Sequence, residues 1–172
     1  MTSTLMVTIP AALASGSHQL GEESPLVLFV AARALDGAGS GRVRLGDLRA
    51  EASALFSRKQ FDRVISSEQD GRYWERDRSF LRLRSSASIV GSFPCEILPS
   101  LAAARFPLAL LNTRPRRGAA LLAAVLAGID VPRSNQFINR FAGVDRKTVA
   151  RWMRDPVIAE HILLRIPQWA EA

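Results

Sequence analysis

The chain has 172 residues, with 23 Lys+Arg against 16 Asp+Glu and a formal net charge of +7. That length accommodates one domain or two small ones, and a content of 48% hydrophobic and 23% charged residues excludes collagen-like and wholly disordered chains. No apolar run approaches the roughly 18 residues of a membrane span, and a single cysteine, Cys95, excludes an intramolecular disulfide framework and fits a reducing, cytoplasmic compartment.

Residues 1–21 hold no Lys, Arg, Asp or Glu and read as an N-terminal arm. The apolar stretch from Leu5 to Ala14 lacks a basic leader and is interrupted by Pro10, which argues against a cleaved secretory signal. The β-branched run Val7-Thr8-Ile9 predicts an extended segment over Met6 to Ile9. Pro10 then opens a short helix through Ala14, and Gly16 to Gly21 reads as a loop.

Ser24 and Pro25 have the form of an N-cap and first helical residue for a helix running to Leu35, ended by the glycine-rich stretch Asp36 to Gly41. Arg42 to Leu45 is a short strand candidate. Asp47 to Phe56 reads as a second helix with Leu48, Ala52 and Leu55 on one face. Ser57 caps a third, Arg58 to Ser66, with Phe61, Val64 and Ile65 inward.

Asp70-Gly71 is a turn pair leading into Tyr73-Trp74, and Phe80 to Arg84 alternates apolar with basic residues from Leu81 onward, so a β-hairpin is expected with Glu75 to Ser79 as its polar tip. The order helix, strand, helix, helix, hairpin resembles a winged helix over residues 22–92. Ser86 to Val90 is a candidate last strand, and residues 93–117 read as a connecting segment. In it Pro99 and Ser100 open a helix from Leu101 to Leu111, and a break falls at Asn112 to Arg117. Gly118 to Gly128 is apolar almost all round, which predicts a helix buried between others. No internal repeat is expected beyond a general likeness of the two helix pairs.

The most specific signal lies in the last unit, residues 118–172. The stretch Asn135-Gln-Phe-Ile-Asn-Arg-Phe-Ala-Gly-Val-Asp-Arg-Lys-Thr-Val-Ala-Arg-Trp-Met-Arg154 resembles the helix-turn-helix motif of DNA-binding proteins. Ile138 and Ala142 supply the inner face of a first helix. Gly143 falls where the turn needs a left-handed backbone, Val144 plugs the space between helices, and Asp145 caps the second helix. Val149 and Trp152 form its buried face. Asn139 departs from the pattern, which places a small residue there to let the helices approach.

The charge follows this division. Residues 1–100 carry 12 basic and 11 acidic side chains, whereas residues 101–172 carry 11 and 5, so the excess lies in the C-terminal part. Only Lys59 and Lys147 are lysine, and arginine's planar fork suits phosphate and base edges. The fold expected is mainly α with a small β-hairpin wing, a winged helix followed by a helical helix-turn-helix subdomain.

The resemblance implies that the helix at 145–154 enters the major groove. Arg146 and Arg151 are the candidates for base readout, since arginine pairs bidentately with guanine. Lys147, Arg154 and Arg140 are assigned to phosphates, and Thr148 to a phosphate or a thymine methyl. In the first unit Arg58, Lys59, Gln60 and Arg63 would be exposed on the second helix of the pair, with Gln60 suited to adenine. The wing would contribute Arg72, Arg76 and Arg78, opposed by Glu68, Asp70, Glu75 and Asp77.

Catalytic motifs are not found. His18, His161 and Cys95 cannot assemble a four-ligand Cys/His zinc finger, and no phosphate-binding glycine loop, Gly-x-Ser-x-Gly or His-Glu-x-x-His is present. Trp74, Trp152 and Trp169 are expected in packing rather than base stacking. The reading is a non-enzymatic, cytoplasmic and nucleoid-associated protein that binds double-stranded DNA without cofactor or metal, as a monomer on an asymmetric site or a homodimer on a pseudo-palindrome. Transcriptional regulation is its first role. The lead-in Val7 to Leu13 before a winged helix is also similar to the opening of plasmid and phage replication initiators, which makes origin binding the alternative. A protein–protein adaptor is the third reading.

Overall fold

Val7 and Ile9 point inward and Thr8 outward from β1 (Met6–Pro10), the alternation of a strand with one buried face. The computed structural model describes residues 5–67, 71–129 and 135–157. It is mainly helical, with two small antiparallel sheets. β1 pairs with β5 (Ala103–Pro107), with Val7 opposite Phe106 and Ile9 opposite Ala104. The helix expected over residues 101–111 is therefore replaced by a strand over its middle, Ala103–Pro107. Ala104 and Phe106 alternate inward with Arg105 outward, and burial against β1 overrides the helix-forming composition of that stretch. A short 3-10 turn (Leu108–Leu111) follows β5.

Pro10 leads into α1 (Ala11–Gln19), which continues through Gly16 and replaces the loop expected there. Its residues 13–17 are all buried, so tertiary packing extends the helix past its glycine. Residues 22–23 begin α2 (Glu23–Leu35); Ser24 is inside this helix and its hydroxyl accepts from Arg117 rather than capping it. The Asp36 carboxylate stops the chain after α2 by accepting from the backbone N–H groups of Ser40 (2.8 Å) and Gly41 (2.7 Å).

β2 (Arg42–Arg44) leads into α3 (Leu45–Glu51), continued by a 3-10 turn (Ala52–Ala54), and then into α4 (Arg58–Ser67). β3 (Trp74–Asp77) and β4 (Phe80–Leu83) form the hairpin, and β2 joins it in the order β2-β4-β3. The register sets Asp77 opposite Phe80, so the tip is Arg78-Ser79 alone and residues 75–77 belong to a strand. Asp70 lies outside the described residues, and Gly71, at φ +60°, precedes the hairpin. Ser86 to Ser92 is a helix, α5, not a strand: the Ser85 hydroxyl accepts from the Ser88 N–H and caps it.

Thr113 caps α6 (Arg114–Ala127), with Pro115 in its first turn, so the expected break at 112–117 is a helix start. From Gly118 to Leu126 every residue of α6 is buried. It packs against α1, α2 and β5 and against the last two helices, α7 (Asn135–Ala142) and α8 (Arg146–Trp152). One cluster of buried side chains runs from Val7 to Trp152. It crosses the divisions expected after residues 21, 92 and 117. The chain also repeats an order of elements that the sequence conceals: a strand ending in proline (Pro10, Pro107), a short helical segment, a long buried helix (α2, α6) and a helix pair. Among the described residues no helix is long and apolar enough to cross a membrane.

Candidate nucleic-acid interface

Three residues, 143–145, join α7 to α8. Gly143 adopts φ +63°, the left-handed conformation that costs a residue without Cβ nothing. Val144 is buried behind it. Asp145 caps α8, accepting from the Thr148 N–H at 2.6 Å; this bond, followed by the Thr148 hydroxyl, holds its carboxyl below the ordinary range. Ile138, Ala142 and Trp152 are buried and Val149 is half-buried. Asn139 is exposed and does not stand between the helices.

Close approach comes instead from α6. A Cβ on Gly118 would lie 2.7 Å from Cζ2 of Trp152, so the indole occupies the volume that any larger residue would need. The His18 ring of α1 packs on the same indole, with centroids 5.9 Å apart. The Arg116 guanidinium, 3.5 Å from Asp155, ties the start of α6 to the chain just after α8.

Two α1 side chains hold the end of α7. The Ser15 hydroxyl donates to the Phe141 carbonyl and accepts from the Leu98 N–H (3.1 Å). Gln19 Nε2 donates to the carbonyls of Phe141 (3.2 Å) and Glu96 (2.8 Å). These bonds satisfy a carbonyl that helix termination leaves without an intrahelical partner.

Arg146, Lys147, Arg151 and Arg154 are exposed, and no carboxylate ion-pairs with any of them among the described residues. Thr148 is half-buried, its backbone N–H committed to the Asp145 cap. Arg140 differs from its expected role, because both arms of its fork are taken by Glu96 at 2.7 Å.

In the first unit Arg58, Lys59 and Arg63 are exposed on α4. Gln60 has a local job: its Oε1 accepts from the Ser57 N–H (2.9 Å) while the Ser57 hydroxyl accepts from the Gln60 N–H (3.3 Å), a reciprocal capping box. Its carbonyl is therefore not the unengaged acceptor that adenine recognition calls for. Arg72 is likewise placed elsewhere than on the wing surface. It pairs with Glu22 (3.1 Å), donates to the Ser92 carbonyl (2.7 Å) and hydroxyl (2.9 Å), and lies over Phe93.

The Arg72 clamp adjoins a buried chain of hydrogen bonds. Tyr73 donates to Glu22 at 2.9 Å and lies 2.7 Å from the Ser17 hydroxyl. Burial keeps the tyrosine hydroxyl protonated well above its ordinary value, and the Glu22 carboxylate acts in the same direction. The hairpin is thus fastened to the α1–α2 junction.

Arg76 and Arg78 are exposed. Arg78 sits at φ +54°, the only described non-glycine residue with positive φ, at a turn position that glycine or asparagine fills more cheaply. The hairpin's acids act on other partners than these two arginines: Asp77 pairs with Arg42 at 3.2 Å and Glu75 with Arg84. Glu68 and Asp70 lie outside the described residues, as do His161 and Trp169. Among the described residues no group of three His, Cys, Asp or Glu side chains is placed to hold a metal ion. Comparison with protein-family models, curated proteins and solved structures finds no match.

Proposed function

We propose that the protein is a sequence-specific double-stranded DNA-binding protein, a transcriptional regulator that inserts α8 into the major groove. The observation that carries this reading is the α7–α8 pair: a three-residue turn with a left-handed glycine, a carboxylate cap, a buried inner face and four exposed cations over residues 146–154. Arg146 and Arg151 read base edges, while Lys147 and Arg154 hold phosphates. The first unit, with its helix pair and three-stranded sheet, is a winged helix whose Arg58, Lys59, Arg63, Arg76 and Arg78 face the same duplex. The protein acts in the cytoplasm, on the nucleoid.

Selection of bound duplexes from a random pool, followed by footprinting, tests the reading. Replacing Arg146 or Arg151 by Ala is expected to relax base preference at one position by about 1–3 kcal/mol. Uniform weakening across all sequences would reassign these residues to the backbone, and a chain that bound no duplex would refute the reading. Origin binding is the alternative role, favoured by the lead-in Val7 to Leu13. Occupancy mapped genome-wide separates the two, promoter-proximal sites marking a regulator and clustered repeats at an origin marking an initiator.

A further inference from the structure

The three-stranded sheet buries Val43, Trp74, Leu81 and Leu83 on one face and exposes Arg42, Arg44 and Arg82. The register sets Arg42, Arg82 and Glu75 side by side across the three strands, and Arg44, Phe80 and Asp77 in the adjacent row. Arg42 and Arg44, two residues apart on one strand and so separated by about 7 Å, both lie over the Phe80 ring, at 4.8 and 5.8 Å from its centroid. The aromatic face holds the two guanidinium groups in place; Arg42 spends part of its edge on Asp77 (3.2 Å), and Arg44 is exposed.

An ordinary solvated sheet face mixes charges so that opposite signs meet across strands. Here Arg82 meets Glu75 on one side but stands directly opposite Arg42 on the other, a like-charge pair that costs stability. The two acids of the face do not offset all of this charge: Asp77 pairs with Arg42 and Glu75 with Arg84, and among the described residues no carboxylate ion-pairs with Arg44 or Arg82. An anion seated between the rows would convert the repulsion into bidentate hydrogen bonding, and guanidinium forks match phosphate oxygens.

We propose that this outer sheet face is a phosphate-binding surface, on which Arg44 and Arg82 grip the backbone of the duplex that α8 reads. The proposal rests on the duplex-binding reading and adds to it a contact made by neither helix pair. Such a contact adds affinity and fixes the orientation of the first unit on the DNA, and carries no base preference.

The test is a salt titration of the full chain on a selected duplex and on a random duplex, read by fluorescence anisotropy. The Arg44→Ala/Arg82→Ala variant is expected to lower the magnitude of the log–log salt slope by about 1.8, from 0.9 per lost phosphate contact. It should weaken both duplexes by the same factor, and Arg44→Lys/Arg82→Lys should restore the slope. Both arginines are exposed, and the Ala variant loses the Arg42–Arg82 repulsion together with the Glu75–Arg82 attraction, so its thermal midpoint should hold. An unchanged slope in a variant that still binds through α8, or a loss confined to the selected duplex, would overturn the sheet-face contact alone. A wild-type chain that bound neither duplex would overturn both this contact and the reading beneath it.

Discussion

The guanidinium of Arg117 donates to the carbonyls of Leu111 (2.8 Å) and Leu55 (3.1 Å) and to the Ser24 hydroxyl (3.2 Å), and lies 4.4 Å from the centroid of the Phe56 ring. Only 7% of the residue is exposed, and burial lowers its pKa from the ordinary value. Sequence counting adds this arginine to the positive excess of the C-terminal part, yet its charge is spent joining α6 to α2 and to the turn before α4. Arg117→Ala leaves two buried carbonyls without their donor and opens a cavity, so a loss of about 3 kcal/mol is expected. Arg117→Met, which refills the volume, should lose less. Urea midpoints of the two variants check this, and equal losses would show that the hydrogen bonds rather than the packing set the cost. Arg72 and Arg140 are smaller instances of the same point. Composition assigns a charge to each arginine, and only the fold shows whether Glu22, Glu96 or a solvent-facing surface receives it.

At the scale of elements, α8 depends on a glycine twenty-eight positions before its first turn. Alanine in a helix interior ordinarily exceeds glycine by about 1 kcal/mol. At Gly118 the added Cβ would meet Trp152 at 2.7 Å, and overpacking of a full core costs about 1–3 kcal/mol. Gly118→Ala is therefore expected to destabilise the protein, and to become neutral or stabilising in a Trp152→Leu background. A double-mutant cycle on thermal midpoints measures this coupling, and additive effects would show that the indole yields freely. The α7–α8 pair was legible because its signals are local: a glycine at the turn, an aspartate three residues before the N–H it caps, and apolar residues at helical spacing. β5 and α5 were not. The stretch 101–111 has a helical composition, and only the partner strand β1, nearly a hundred residues away, selects the extended form of its residues 103–107. Ser86 to Val90 reads as a strand through Ile89 and Val90, whereas the Ser85 cap that decides for a helix is a single hydroxyl in a run of serines.

Across the whole molecule, α1 and α6 are the elements that join the last helix pair to α2 and the hairpin. Ser17 reaches Tyr73 at the base of the hairpin, Ser15 and Gln19 of the same helix hold the end of α7, and α6 packs on both α2 and α8. The sequence suggested an arm, a connecting segment and two units. Gly, Pro and Ser cluster at those boundaries, and such residues also start helices, as Pro115 does in the first turn of α6. A core shared between the two units implies that neither loses its structure alone. Two variants that keep one tryptophan each test this, Trp152→Phe/Trp169→Phe reporting on Trp74 in the hairpin and Trp74→Phe/Trp169→Phe reporting on Trp152 in α8. In each, the urea midpoint from fluorescence is expected to coincide with the midpoint from far-UV circular dichroism, as a single cooperative transition requires. Fluorescence of Trp152 that changed before the helical signal would mean that α8 detaches from α6 while the first unit stays folded. The close fit of the indole against Gly118 and His18 argues for the coincident result, because freeing α8 would expose that indole and leave the buried face of α6 without its cover.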